Sequence, residues 1–110
     1  MEFSSNGVPN IPEFGSVKTE EGFKALLEMS AYHHVKNGTH YPAVMVETGF
    51  NDPRVDAWEA GKMAARLQAA TTSGKPILLR LDYDAGHGFG STKKQRYAER
   101  AGNSAFLVWP

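Results

Sequence analysis

From Thr19 to Val35, the positions Phe23, Leu26, Leu27, Ser30, Ala31 and His34 fall at the i, i+3, i+4 intervals of one helix face. Thr19 stands where a cap belongs, and Glu20 and Glu21 suit a first turn, so the spacing predicts a helix. Two short apolar runs follow, "YPAVMVETGF" (Tyr41 to Phe50) and "PILLRLDY" (Pro76 to Tyr83), each bounded by Pro and Gly signals as buried strands tend to be. Between them Ala60, Met63, Ala64 and Leu67 line one side of a second helix, with Glu59, Lys62 and Arg66 on the other. A last helix is predicted from about Thr92. Thr92 and Gln95 fit a capping box, and Tyr97, Ala98, Ala101, Ala105 and Val108 recur at helical spacing, although Gly102 and Asn103 weaken its middle.

A connection that contains a helix is too long for a hairpin, so the two strands are expected to run parallel. The fold class that results is α/β: a parallel β-α-β core with flanking helices, a partial sheet. Residues 1–16, "MEFSSNGVPNIPEFGS", are rich in Pro, Gly, Ser and Asn and hold only scattered apolar residues. They are expected to form an extended arm, with residues 17–110 as the folded unit.

Composition narrows the function classes. Twelve basic and twelve acidic residues cancel, leaving no electrostatic footprint for nucleic acid or an anionic membrane. Cysteine is absent, which removes disulfides, thiolate metal sites and cysteine nucleophiles. No apolar stretch approaches the roughly 20 residues of a membrane span, and "MEFSSNGVPN" lacks the pattern of a signal peptide. A soluble chain is expected, in a compartment the sequence leaves open. Of the histidines, His33, His34 and His40 show no His-x-x-x-His or Glu-x-x-His spacing, so no metal and no cofactor is implied. One of the adjacent pair His33 and His34 is expected in the core and the other in solvent.

In an open α/β sheet, chemistry gathers beyond the carboxyl ends of the strands. Those ends carry "GFNDPRV" (Gly49 to Val55) and "DAGHGFG" (Asp84 to Gly90). If the strands are neighbours, Asp52 and His87 project from adjacent loops. A carboxylate beside an imidazole is the orienting half of a catalytic triad, because it fixes the tautomer and stabilises the imidazolium formed when His takes a proton from a nucleophile. Asp before His, each after its own strand, is the α/β-hydrolase order. A structural role competes: Asp52 with Pro53 has the form of a helix N-cap with Pro at N1. Asp56 with Glu59 offers a second capping box just downstream, which would leave Asp52 in the loop. The glycine-rich turn before Ser91, Thr92 and Lys93 could also cradle a phosphate, but its spacing fits neither G-x-x-x-x-G-K-[ST] nor G-x-G-x-x-G.

The segment "YPAVMVETGFNDPRVDAWEAGKMAARLQAATTSGKPILLRLDYDAGHGFGSTKKQRYAER" closely resembles the C-terminal end of the catalytic domain of prolyl oligopeptidases. These are serine peptidases that pair an α/β-hydrolase domain with a β-propeller. "NIPEFGSVKTEEGFKALLEMSAYHHVKNG" looks like the segment that precedes the aspartate loop in that family. By position the resemblance implies that Asp52 is the triad aspartate and His87 the triad histidine. It implies further that Arg54 reaches toward the substrate backbone near the scissile bond. The implied substrates are peptides cut after proline, or esters. No G-x-S-x-G occurs in these residues, so the serine elbow would belong upstream of Met1, and the chain is expected to be a fragment of the catalytic domain. Two parallel strands with three helices would leave sheet edges and apolar surface uncovered. A homodimer or higher homo-oligomer is therefore expected, and the readings of a non-catalytic self-associating fragment and of a small promiscuous esterase stand beside retained peptidase descent.

Overall fold

A computed structural model describes residues 2–4, 7–84, 86 and 92–108. Among the described residues, a 3-10 turn (Val8–Asn10) leads into five helices and two strands: α1 (Ile11–Phe14), α2 (Glu20–Met29), α3 (Ala31–His34), β1 (Val44–Gly49), α4 (Ala57–Ala70), β2 (Ile77–Asp82) and α5 (Lys93–Leu107). β1 and β2 pair in parallel from Val44 opposite Ile77 to Gly49 opposite Asp82. The β-α-β unit, both strand positions and the helix starts at Thr19 and Thr92 are as the sequence patterning predicts.

The core is small and lies on one face of this sheet. Val35, Leu67, Ala70 and Ile77 are buried together, with Tyr41, Val44 and Met63 packed against them. The C-terminal end of α4 is stitched to the segment before β1. Gly38 N donates to Ala70 O at 2.8 Å and Thr72 N to Thr39 O at 3.0 Å. Arg66, predicted on the solvent side, instead reaches across to Val35 O and Asn37 Oδ1, each at 2.6 Å. It satisfies carbonyl acceptors that a loop would otherwise leave to water.

Four local expectations are corrected. The first is the extended arm, where residues 8–14 are helical and the chain folds back. The carboxylate of Glu2, only 7% exposed, accepts from Ser16 Oγ at 2.9 Å and Val17 N at 2.9 Å. The second is the single helix from Thr19, which breaks at Ser30. Ser30 takes an extended backbone (φ −77°, ψ 102°), and its Oγ and carbonyl engage His33 Nδ1 and His34 Nδ1, both at 2.8 Å. A serine that offers its neighbours such bonds competes with helical ones. Both histidines are exposed, so neither is the core residue expected. Asp56 does stand at the N-cap of α4, but its side chain makes no capping bond there. In α5 no residue is buried, and Tyr97 is 66% exposed.

Candidate active site

Both strands of a parallel pair end at the same edge of the sheet, and here the register makes them end together, at Gly49 and Asp82. Phe50 N continues the ladder by donating to Asp82 O at 2.7 Å. Beyond that point each chain is turned by an aspartate. Asp52 Oδ1 accepts from Arg54 N at 2.8 Å and Val55 N at 3.0 Å, and Asp82 Oδ1 accepts from Asp84 N at 3.0 Å. Such Asx turns let a side chain replace a backbone acceptor, so the loop reverses and the carboxylate is oriented at once.

The two loops are also tied to each other. Asn51 Nδ2 donates to Tyr83 O at 2.9 Å, and the rings of Phe50 and Tyr83 lie 5.7 Å apart. Asn51, Asp82 and Tyr83 are contributors that sequence reasoning missed. An Asn beside Asp-Pro was the available signal, since Asn is common in turns and carries a donor.

Asp52 therefore sits three residues past β1, partly buried, in a turn held by two backbone donors. It is not the cap of α4, which begins five residues later, at Ala57, with Asp56 at its N-cap. Arg54 is in the same turn with its side chain exposed. His87 lies outside the described residues, which resume at Thr92. What the described part places at this edge is two carboxylates oriented by their turns, Asp52 and Asp82, and Asp84 at the near end of the segment that holds the histidine.

Among the described residues no cluster of His, Asp or Glu is arranged to hold a metal ion. Trp58 is exposed, and Lys62 Nζ lies 5.2 Å from its ring and 5.1 Å from that of Tyr32, in cation–π reach of both.

Comparison with known proteins places this geometry. Residues 8–109 match the model of the prolyl oligopeptidase family. The prolyl endopeptidase of Elizabethkingia meningoseptica is 37% identical over 98 residues, and dipeptidyl aminopeptidase BI of Pseudoxanthomonas mexicana is 34% identical over 96. Those alignments take in 88% and 87% of this chain but 14% and 13% of the relatives, so the chain spans about a seventh of their length. Among solved structures, oligopeptidase B from Leishmania major superposes with a TM-score of 0.84 at 29% identity, over 92% of this chain and 14% of that one. A chain from a structural study of two prolyl endopeptidases superposes with a TM-score of 0.74 at 36% identity, with the same coverage. The strand ends, the Asx turn at Asp52 and the helices around them are thus a part of an α/β-hydrolase fold, and the chain belongs to the prolyl oligopeptidase family.

Proposed function

We propose that Asp52 and His87 are the carboxylate and imidazole of a Ser–His–Asp relay for acyl transfer, and that Arg54 faces the substrate backbone. The observation that carries this reading is the turn at Asp52. Its Oδ1 is held by two backbone donors at the sheet edge to which β2 delivers the segment bearing His87. In that role His87 takes the serine proton during attack and returns it to the leaving amine, while Asp52 fixes the tautomer and balances the imidazolium charge. Arg54 lies two residues from Asp52, on the same turn, where its guanidinium can donate to a peptide carbonyl.

No G-x-S-x-G occurs in the 110 residues, so the isolated chain offers two of the three groups. It is expected to give no turnover of a proline-based chromogenic peptide, and at most slow hydrolysis of an activated ester that disappears in His87→Ala. Robust peptidase turnover by the isolated chain would overturn this division of roles.

A second reading concerns assembly: the isolated chain pairs with a second copy. Its accessible surface is 8029 Å², whereas a folded monomer of its mass exposes about 6,000 Å². It is a slab, 44 × 38 × 17 Å, with a radius of gyration of 16.2 Å where about 13 Å is ordinary. Leu78 and Leu79 on β2 and Phe23 on α2 are 45%, 42% and 50% exposed. The excess of about 2,000 Å² per chain is what an obligate dimer interface would remove. Two copies covering each other would bring the surface back to the ordinary range. Sedimentation equilibrium tests this, as set out in the Discussion.

A further inference from the structure

We propose that Glu47, Arg80 and Asn103 form a polar latch that seats α5 on the sheet and so positions the segment between β2 and α5, which carries His87. The assignment of His87 as the catalytic histidine is the reading above; the latch itself stands on described residues. Glu47 and Arg80 are register partners on β1 and β2. Their side chains form an ion pair at 3.5 Å and are 31% and 28% exposed. From this pair both partners reach α5: Arg80 Nη1 donates to Glu99 O at 3.1 Å, and Glu47 Oε2 accepts from Asn103 Nδ2 at 3.1 Å. One charged pair therefore holds both strands and the helix.

The helix is shaped to receive it. Gly102 presents no side chain, and a Cβ there would overlap Arg80 Nη1 and lie 3.4 Å from Cζ. Asn103 turns inward even though its Oδ1 is buried without a hydrogen-bond partner, an arrangement that persists only where something offsets its cost. Among the apolar positions of α5 none is buried and only Phe106 is half-buried, so they offer little anchorage beside the polar contacts. The two residues that weaken α5 as a helix are thus both among those at which it docks, beside the Glu99 carbonyl.

Position passes from the latch to the segment by covalent connection at both ends. Arg80 lies two residues before Asp82, whose carboxylate turns the chain into Asp84. α5 begins at a complete capping box, with Gln95 N donating to Thr92 Oγ1 at 3.2 Å and Thr92 N to Gln95 Oε1 at 2.6 Å. The box makes Thr92 move with the helix. Releasing the latch frees Thr92, from which the chain leads back to the segment, so Glu47, Arg80 and Asn103 are positioning residues.

Gly102→Ala is the decisive substitution, because alanine is the better helix former yet displaces the guanidinium. Hydrogen exchange of α5 amides and the ring resonances of His87 by NMR are read in the wild type, Gly102→Ala, Arg80→Ala and the double variant. The latch predicts that Gly102→Ala lowers α5 protection about tenfold and moves the His87 ring resonances, and that once Arg80 is alanine the loss disappears, leaving only the gain from alanine's helix preference. Unchanged protection and resonances in Gly102→Ala, or an equal effect of that change in the Arg80→Ala background, would overturn the proposal. Glu47→Gln, which keeps the acceptor for Asn103 and removes the charge, gives a smaller shift of the same kind. None of these readouts uses catalysis, so failure of the catalytic assignment, seen in the turnover assays, stays separate from failure of the latch.

Discussion

Asn51 and Tyr83 join the two strand ends: the side-chain amide of Asn51 donates to the Tyr83 carbonyl at 2.9 Å, spanning 32 residues of sequence. The bond links the Asp52 turn to the start of the β2 loop, one residue beyond the last rung of the ladder. Asn51→Ala should cost about 1 kcal/mol, the ordinary net worth of one hydrogen bond. Chemical denaturation reads the loss, and a variant as stable as the wild type would show that the loops need no tie.

Asp52 has a structural and a proposed chemical role, and two substitutions separate them. Asn keeps an Oδ1 that can accept from Arg54 N and Val55 N, whereas Ala removes both bonds. Asp52→Ala should therefore lose about 1–2 kcal/mol of stability, and Asp52→Asn much less. If the carboxylate orients His87, both variants lose any His87-dependent ester hydrolysis. Hydrolysis retained in the stable Asn variant would assign Asp52 to the turn alone.

Gly22 shows a limit of reading propensity. Within α2 any helix scale favours alanine, but a Cβ at 22 would meet the carbonyl oxygen of Ser16 and lie 2.9 Å from both Ser16 N and Thr19 Oγ1. Those are largely backbone neighbours that cannot swing aside. Gly22→Ala should destabilise by about 1–3 kcal/mol, as overpacking does, and a rise in the urea midpoint would contradict the packing described here.

What was legible in the sequence was local. Alternating signals for caps, strand runs and helix faces placed Thr19, Thr92, β1, α4 and β2, because each depends on residues within one turn or one strand. The turn at Asp52 was half legible: Asp-Pro had the form of a helix cap and Asp56 with Glu59 argued for leaving Asp52 in the loop, but nothing local showed that its carboxylate accepts from Arg54 N and Val55 N to close the turn. Contacts between distant segments left no trace in any pattern. Glu2 under Ser16 and Val17, Arg66 on Val35 and Asn51 on Tyr83 all join stretches whose sequences are unremarkable alone. The exposed face of α5 shows the same limit, since periodicity records which residues share a face and not whether anything covers it.

The association reading has a direct check. At low micromolar concentration, sedimentation equilibrium should give a dimer or higher homo-oligomer, and Leu78→Asp should shift it toward monomer by placing a charge on an exposed strand position. A cooperatively folded wild-type monomer at that concentration would refute it.

The central claim is that Asp52 and His87 supply the carboxylate and imidazole of a peptidase. It is tested most directly by grafting residues 8–109 into the Elizabethkingia meningoseptica prolyl endopeptidase in place of its matching segment and measuring kcat/KM on a proline-containing peptide. A folded chimera should turn the peptide over, and His87→Ala or Asp52→Ala within the graft should reduce kcat/KM by about 10³-fold or more, the scale of loss when a triad member is removed. Turnover that persists undiminished in the His87→Ala chimera would contradict the account.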